Sequence, residues 1–312
     1  MELLMMQPVF KEAIWGGKKL REVFGYEIPS EFTGECWGIS GHKNGESSIV
    51  GGSCDGMTLS RLWQEKPEWF GYYPGTQFPL LVKIIDAKQD LSIQVHPDDT
   101  YANEYEHGSL GKTECWYVLD CEEGTEIVIG HYAKDKEEME AMIRKQEWFR
   151  FIRKIPVKKG DFFQINPGCL HAIKGGTLIL EIQQSSDITY RVYDYGRLSN
   201  GKPRPLHIEQ SIATIKAPFE PSVQIPVIEI LEGAIHTHMI HCRYYSVDKY
   251  DVHGEFIHEF VSYFTNASIL EGEGTINGIP VKKGNHFIIP HGYGTCRFKG
   301  EFSMICSNPE TE

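Results

Sequence analysis

The residues best suited to chemistry in this chain are two histidines and a glutamate set among strand-like segments. Gln94 and His96 lie two positions apart, so on a β-strand their side chains point to the same face. Glu114 begins another strand-like segment, and His171 follows a Pro-Gly turn. If antiparallel strands bring these side chains together, they offer two imidazoles, a carboxylate and an amide oxygen to one divalent cation. Zinc accepts such ligands, and iron, manganese or nickel also fit them.

Short apolar segments separated by Gly, Pro and Asp surround these residues and are typical of β-strands. The predicted strand pairs lie within residues 77–97, 114–131 and 161–183. Apolar residues at helical spacing predict helices over 57–70 and 134–153, and a third, short helix near His207. The sequence therefore predicts a mainly β protein with helical insertions.

An internal repeat indicates two related β domains. The hexapeptide Ile-Pro-Val-Lys-Lys-Gly at 155–160 recurs at 279–284, and each copy precedes an apolar strand and a Pro/Gly turn. At this offset Thr295 takes the place of His171. The proline-rich segment 216–228 predicts a linker. We therefore predict a metal-binding catalytic domain at 1–225, with the helical insertions, and a second, metal-free β domain at 226–312.

Composition narrows the classes of partner. The 312 residues carry a net charge of −12, which disfavours nucleic acid as a partner. No apolar run approaches the ~20 residues of a membrane span, so no membrane partner is expected. The first residues do not have the pattern of a secretory signal, and the eight cysteines are scattered. Both observations favour reduced thiols in a cytoplasmic protein.

Longer motifs around the candidate ligands resemble a known family. Gly160-Asp161, followed by the turn at 167–168 and His171, resembles the second cupin motif. Several segments are similar to type I mannose-6-phosphate isomerases, and together they span most of residues 7–210: Trp15 to Gly17, 91–99, 111–116, 167–173 and 180–196. The resemblance implies two cupin-like β-sandwich or jelly-roll domains and the interconversion of mannose 6-phosphate and fructose 6-phosphate through an enediol.

The resemblance also implies roles for individual residues. It implies one Zn²⁺ per chain, bound by Gln94, His96, Glu114 and His171, and an active-site arginine at Arg191. Many relatives have a histidine where this chain has Gly111, so the role of that histidine cannot be carried over.

Within the family-like motifs, three residues are candidates for the base that moves the substrate proton: Lys112, Glu181 and Lys83. Lys83 and Arg191 are also predicted to bind the substrate. The guanidinium of Arg191 can stabilise an enediolate or bind a phosphate through two hydrogen bonds. Arg191 could instead pair with Asp187 or Asp194 and hold a loop.

Other interpretations remain open from the sequence. A metal-dependent cupin dioxygenase would use iron and oxygen, whereas a sugar-binding or regulatory cupin would hold the metal for structure alone. The expected partner is a small sugar phosphate, and we predict a monomer or weak homo-oligomer. His236, His238 and His241 could place two imidazoles on one strand face, but with no carboxylate at motif spacing we interpret them as surface or interdomain histidines.

Overall fold

The computed structural model describes residues 1–199 and 201–311 and is built mainly from β-strands. The strands of the first part are β1 (Leu4–Gln7), β2 (Val9–Gly17), β3 (Thr33–Ser40), β4 (Ser48–Val50), β5 (Leu80–Ala87), β6 (Ile93–Val95), β7 (Glu114–Cys121), β8 (Glu126–His131), β9 (Ile152–Pro156), β10 (Phe162–Ile165), β11 (His171–Ala172), β12 (Thr177–Gln184), β13 (Tyr190–Tyr193), β14 (Leu198–Ser199) and β15 (Lys202–Pro203). Those of the second part are β16 (Val227–Leu231), β17 (Ala234–His241), β18 (Tyr245–Glu259), β19 (Thr265–Ile276), β20 (Ile279–Lys282), β21 (His286–Ile289) and β22 (Thr295–Pro309). The helices are α1 (Lys19–Phe24), α2 (Leu59–Glu65), α3 (Asp99–Tyr105), α4 (Lys136–Arg144), α5 (Trp148–Phe151) and α6 (Ile208–Thr214). The mainly β fold class is confirmed.

The first part of the chain contains two sheets with an apolar core between them. One sheet has the strand order β10-β7-β12-β5-β3-β2, and the other has the order β13-β6-β11-β8-β9. Both contribute to one buried cluster, which includes Trp116, Val118, Ile127, Ile129 and Ile179. Of the candidate ligands, Gln94, Glu114 and His171 lie on strands of these two sheets, and His96 directly follows β6.

The second part of the chain forms a larger sheet that also takes in the N-terminus. Its order is β16-β17-β18-β22-β19-β21-β1-β4, with β20 paired to β19. Its own core includes Val252, Ile269, Phe287, Phe298 and Met304. Because β1 pairs with β21, the sheet crosses the predicted boundary between residues 225 and 226. That boundary stays a prediction.

The repeated hexapeptide folds in the same way in both parts. Lys158 N–H donates to Asp161 Oδ2 at 2.9 Å, and Lys282 N–H donates to Asn285 Oδ1 at 2.9 Å, so each copy closes with the same side-chain-to-backbone turn. The glycine that ends each copy has a positive φ, +89° and +86°. The repeat read from the sequence is therefore a structural repeat.

The structural repeat also identifies the counterpart of Glu114. Ile165 pairs with Glu114 across β10 and β7, and Ile289, at the same offset of the repeat, pairs with Thr265 across β21 and β19. Thr265 thus takes the place of the carboxylate, as Thr295 takes that of His171. At these two positions the second part therefore holds hydroxyl groups instead of a carboxylate and an imidazole.

Two of the predicted helices are shorter than the sequence indicated. The prediction of one helix over 134–153 was wrong in extent, because Gln146 adopts φ +57° and separates α4 from α5. Phe149, which falls within this range, is fully exposed. Over 57–70, α2 ends before Pro67, where a 3-10 helix begins. The helix near His207 is confirmed as α6.

Two further sequence predictions can be compared with the fold. The segment from 216 to 226 contains neither helix nor strand, as expected of a linker, although β16 already begins at Val227. All eight cysteines have free thiols. Within residues 1–199 and 201–311, no helix combines the length and apolar character needed to cross a membrane.

We expect the turn before His171 to require glycine. Gly168 has φ +84°, and a Cβ there would lie 2.9 Å from Thr214 O and 2.8 Å from Lys216 Cγ. Gly168→Ala should therefore lower the free energy of unfolding by about 2–4 kcal/mol, because left-handed strain adds to a backbone clash. Gly124→Ala is the control, since its φ is +77° but its Cβ meets open space; it should cost about 1–2 kcal/mol. Equal losses in urea unfolding would contradict the clash.

Candidate metal centre and active site

Strand register brings three of the candidate residues into one row. His171 on β11 pairs with Gln94 on β6, and Gln94 pairs on its other side with Arg191 on β13. Directly paired residues of antiparallel strands project to the same face. Arg191, Gln94 and His171 therefore share one face of the five-stranded sheet, although they are far apart in the chain.

A second row lies on the six-stranded sheet. Lys83 on β5 pairs with Glu181 on β12, which pairs with Trp116 on β7. Glu114 lies two residues before Trp116 on the same strand, so it shares that face. Lys112 lies two residues earlier still, just before β7 begins. The two sheets thus bring both rows to one buried site.

Two histidines and a glutamate form the centre of this site. His96 Nε2 lies 3.1 Å from His171 Nε2, and each lies 3.4 Å from one carboxylate oxygen of Glu114. The three side chains are 0–1% exposed. One ligand atom from each can be chosen so that all lie within 4.8 Å of one another. The three candidate ligands that carry an imidazole or a carboxylate therefore converge on one point.

The hydrogen bonds of the histidines show that this centre favours a bound cation. His96 Nδ1 lies 2.7 Å from Ile188 O, and His171 Nδ1 lies 2.9 Å from Cys169 O. A carbonyl only accepts, so each Nδ1 carries the proton and each Nε2 presents a lone pair to the centre. Two lone pairs 3.1 Å apart, beside a carboxylate, are stabilised by a cation between them. The donor set fits zinc, which binds imidazole nitrogen and carboxylate oxygen.

Burial keeps both imidazoles in the neutral form that binds metals. The pKa of His171 is lowered to about 4, chiefly by burial and further by Lys112, although the hydrogen bond to Cys169 opposes the shift. The pKa of His96 is lowered well below its usual value by burial, by Lys112 and by His171. Neither group needs to lose a proton at neutral pH before it can bind a metal.

Glu114 is a buried carboxylate whose charged form is disfavoured even beside Lys112. Burial, followed by the charge of Glu181, raises its pKa to about 7, against the opposing effect of Lys112. Lys112 Nζ lies only 2.5 Å from Glu114 Oε2, but neither Glu114 oxygen receives a hydrogen bond of good geometry. Both oxygens thus have lone pairs free for a metal ligand bond.

Lys112 and Lys83 lie on either side of Glu181. Lys112 Nζ is 3.0 Å from His96 Nε2 and 3.9 Å from Glu181 Oε1, while Lys83 Nζ is 2.9 Å from the same glutamate oxygen. Trp116 Nε1–H donates to Glu181 Oε2 at 3.0 Å. Burial alone would raise the pKa of Glu181, but the two lysines bring it down to about 2. Glu181 is therefore ionised, and Lys112 stands between it and the metal centre.

Glu35 and Trp37 extend the site, and sequence reasoning missed both. Lys83 pairs directly with Trp37 on β3, and Lys83 Nζ lies 3.7 Å from Glu35 Oε2. Burial would lower the pKa of Lys83, but Glu181 and Glu35 raise it above its usual value, so Lys83 stays protonated. Glu35 and Trp37 lie two positions apart, which is the spacing of residues on one strand face, but the sequence analysis does not predict a strand over this segment.

Arg191 does not serve as the anchor of its own loop. Asp194 instead binds Arg197 and Arg204, with Arg204 Nη2 at 2.6 Å from Oδ1. Asp187 accepts a hydrogen bond from Asn44. Arg191 Nε is buried without a hydrogen-bond partner in the described part of the chain. The guanidinium is therefore available to a ligand, whereas both alternative partners are taken.

Gln94 and the tyrosines near Arg191 differ from the other candidates. Gln94 Nε2, rather than its oxygen, faces His171 Nε2 at 3.4 Å, and Ser92 Oγ donates to Gln94 Oε1 at 3.2 Å. Half a turn of the amide would direct the oxygen to the centre, so its role as a ligand stays a prediction. Tyr190 O–H donates to Glu106, and Tyr193 stacks on Trp148. The tyrosines thus contribute packing.

Known proteins match this chain over nearly its whole length. The profile of the phosphomannose isomerase type I catalytic domain matches residues 3–143, and that of the mannose-6-phosphate isomerase cupin domain matches residues 234–309. The chain is 47% identical to the mannose-6-phosphate isomerase ManA of Bacillus subtilis, over 98% of this chain and 99% of that one. It is 44% identical to the mannose-6-phosphate isomerase of Streptococcus mutans, over 98% of each.

Solved structures agree. The crystal structure of the mannose 6-phosphate isomerase from Bacillus subtilis superposes with a TM-score of 0.97 at 45% identity and covers 99% of this chain and 100% of that one. A mannose 6-phosphate isomerase bound with zinc and yttrium shares the fold, with a TM-score of 0.77, at 16% identity, over 99% of this chain and 100% of that one.

Proposed function

We propose, from the premise that this chain belongs to the type I mannose-6-phosphate isomerase family, that its isomerase reaction depends on one zinc ion held by His96, Glu114 and His171, with Gln94 as a fourth ligand. Membership makes the chain an aldose–ketose isomerase. The observation that carries the zinc proposal is the pair of imidazole lone pairs that face each other beside the unsatisfied carboxylate of Glu114.

The reaction moves a proton between two neighbouring carbons. A base takes the proton from C2 of the open-chain aldose, and the C2–H electron pair forms the C1=C2 double bond while the C1=O π electrons move to O1, which takes up a proton to give an enediol. The base then returns its proton to C1, where the C1=C2 electrons form the new C–H bond, and O2 loses its hydroxyl proton to become the ketone oxygen, which balances the proton gained by O1. A zinc ion bound at the centre would polarise the carbonyl and stabilise negative charge on oxygen.

We propose two residues as candidates to carry the proton. Lys112 Nζ lies within 3.0 Å of His96 Nε2, and Glu181 Oε1 lies 3.9 Å from Lys112 Nζ, so both line the space beside the metal ligands. We propose that the base is one of these two, because a base must reach the carbon-bound proton. Lys83, held protonated by two glutamates, is better suited to bind the substrate as a cation.

Arg191 supplies a second fixed positive charge. It shares a sheet face with Gln94 and His171, and its Nε is buried without a partner among the described residues. We propose that the guanidinium donates hydrogen bonds to the substrate, either to the developing enediolate or to the phosphate. Lys83 and Arg191 lie on opposite sheets, so together they would hold the anionic sugar across the site.

The cellular setting remains as predicted from the sequence. We infer a cytoplasmic enzyme whose partner is a sugar phosphate, in keeping with its free cysteines and with metabolic relatives. We also retain the prediction of a monomer or weak homo-oligomer.

A coupled assay tests the zinc proposal. Conversion of mannose 6-phosphate to fructose 6-phosphate should fall to background after chelation and return when zinc is added in stoichiometric amount. Zinc has no redox chemistry, so the restored rate should be the same with and without oxygen. Full activity of protein shown by mass spectrometry to be free of metal would refute zinc dependence. Restoration by iron but not by zinc would assign the site to another metal.

A further inference from the structure

A tyrosine from the second part of the chain reaches the segment that carries Lys112. Tyr244 lies between β17 and β18, and its O–H donates to Asp99 Oδ2 at 2.8 Å, across 145 positions of the chain. Asp99 is the first residue of α3 and comes three positions after His96. We propose that Tyr244 is a positioning residue for the isomerase reaction: through Asp99 it fixes the backbone that holds Lys112 beside the metal ligands. This inference rests on the proposed role of Lys112 in carrying the proton.

The carboxylate of Asp99 joins this tyrosine to the segment before β7. Asp99 Oδ1 accepts hydrogen bonds from Gly111 N–H at 2.8 Å and from Gln184 Nε2 at 2.9 Å. Gln184 Oε1 in turn accepts from Thr113 N–H at 2.9 Å, and the N–H of Gln184 donates to Thr113 O at 3.0 Å. Both neighbours of Lys112 are therefore held by one network, which ends at the tyrosine hydroxyl.

This segment depends on side chains for its position, because no strand ladder holds it. Residues 109–113 belong to neither helix nor strand, and β7 begins only at Glu114. Lys112 makes one backbone bond of its own, from its N–H to Pro97 O at 3.0 Å. Backbone groups outside a ladder need other partners, and here Asp99 and Gln184 supply them. The network therefore restricts where the side chain of Lys112 can lie.

The position of Lys112 Nζ matters at the scale of one bond length. It lies 3.0 Å from His96 Nε2 and 3.9 Å from Glu181 Oε1, and the side chain of Lys112 is 5% exposed. A group that carries a proton must reach the reacting carbon, and a displacement of about 1 Å can cost about 100-fold in rate. A loosened segment should therefore lower kcat without removing the metal ligands.

Tyr244 is suited to this role because its hydroxyl stays protonated and its backbone is fixed. Burial, together with the hydrogen bond to Asp99, raises the pKa of Tyr244, so the hydroxyl remains a donor at neutral pH. The carbonyl of Tyr244 accepts from Glu310 N–H at 3.1 Å, and Cys242 N–H donates to Tyr245 O at 2.9 Å across the same turn. The second part of the chain thus presents a donor of fixed position to the first.

Other tyrosine hydroxyls also join the two parts of the chain. Tyr26 O–H donates to Gly284 O at 2.6 Å, and Tyr73 O–H donates to Glu310 O at 2.7 Å. These bonds end on backbone carbonyls of the second part and do not lead to residues 111–113. A variant at Tyr73 therefore measures what a hydroxyl contributes to docking of the two parts alone.

Steady-state kinetics of Tyr244→Phe in the full-length, zinc-loaded protein test the inference. The variant removes one hydroxyl, and we expect kcat for mannose 6-phosphate to fall about 5- to 20-fold, with KM within about twofold of wild type and zinc content unchanged. Asp99→Ala should lower kcat by about 100-fold, because it removes both links to the segment. Tyr73→Phe is the matched control, which should lower the melting temperature and leave kcat as in wild type.

A double-mutant cycle separates positioning through Asp99 from a general effect on the fold. In Asp99→Ala, the further change Tyr244→Phe should leave kcat nearly unchanged, because the hydroxyl has lost the group through which it acts. Losses that multiply in the double variant would overturn the inference, and so would a loss of kcat in Tyr73→Phe as large as that in Tyr244→Phe. Loss of zinc from Tyr244→Phe would also overturn it, since the hydroxyl would then support the metal ligands.

Lys112→Met distinguishes this inference from the proposed function. If Lys112→Met keeps the wild-type kcat, the proposed role of Lys112 fails and the inference fails with it. If Lys112→Met is inactive while Tyr244→Phe keeps the wild-type kcat, only the positioning role of Tyr244 is refuted. An inactive Lys112→Met, a slowed Tyr244→Phe that retains its zinc, and no further loss in the double variant would uphold it.

Discussion

Replacing His171 with glutamine should abolish isomerase activity while leaving the fold intact. His171 Nε2 faces both His96 and Glu114, so the variant removes one of the converging ligands from a fully buried centre. Because a metal ion supplies several kcal/mol of charge stabilisation in the transition state, kcat should fall about a thousandfold or more. The measurement is steady-state turnover of mannose 6-phosphate together with zinc content by mass spectrometry.

His131→Gln serves as the control for this substitution. His131 lies on β8, beside β11 in the same sheet, and is also buried, but its Nε2 bonds to Lys216 O away from the centre. That variant should lose stability and keep both zinc and turnover. If His171→Gln retained a stoichiometric ion and more than a tenth of kcat, the assignment of His171 as a ligand would be wrong.

Replacing Arg191 with alanine should lower kcat by about 100- to 1,000-fold, the loss typical for one donor to a developing oxyanion. The physical reason is that Arg191 lies in a row with Gln94 and His171 and has a buried Nε that the described protein groups do not satisfy. Arg191→Lys should recover part of the rate, because the charge returns but the planar fork of donors does not. Steady-state kcat and KM for both sugar phosphates give the measurement.

Arg204→Ala is the matched control for the guanidinium. Arg204 is a neighbouring arginine, but its two hydrogen bonds go to Asp194. Its loss should lower the melting temperature and leave kcat within a few-fold of wild type. If Arg204→Ala lowered kcat more than Arg191→Ala did, the loop conformation, rather than the Arg191 charge, would limit the reaction.

The candidate ligands could be predicted because their signals are local. His96 follows Gln94 at the spacing of one strand face, and His171 follows a turn whose glycine the structure shows at φ +84°. The strands predicted around them were also confirmed, since alternation and turn residues are short-range patterns, although β5 and β6, and likewise β7 and β8, lie in different sheets. The resemblance then supplied the reaction, which the relatives at 44–47% identity support.

The limits of helices were harder to predict, because they depend on single backbone conformations. Apolar spacing over 134–153 fits one helix, but Gln146 turns left-handed and α5 starts afresh at Trp148. Likewise, the pattern over 57–70 does not show that Pro67 separates a 3-10 turn from α2. Helical periodicity indicates which face of a helix is apolar but gives little information on where the helix ends.

By itself, the sequence determined which residue types can bind a metal and where a hexapeptide recurs in the two parts of the chain. Only the tertiary structure decided which charges meet. The register of β5, β12 and β7 places Lys83, Glu181 and Trp116 side by side, although they are 33 to 98 residues apart in the chain. The tertiary structure also decides that Asp194 pairs with Arg197 and Arg204, so that Arg191 remains available to a ligand. In the same way, it places Asp248 beside two histidines that the sequence had left without a carboxylate. The reason is that cross-strand pairs form between distant segments, so their chemistry is set by sheet register rather than by spacing along the chain.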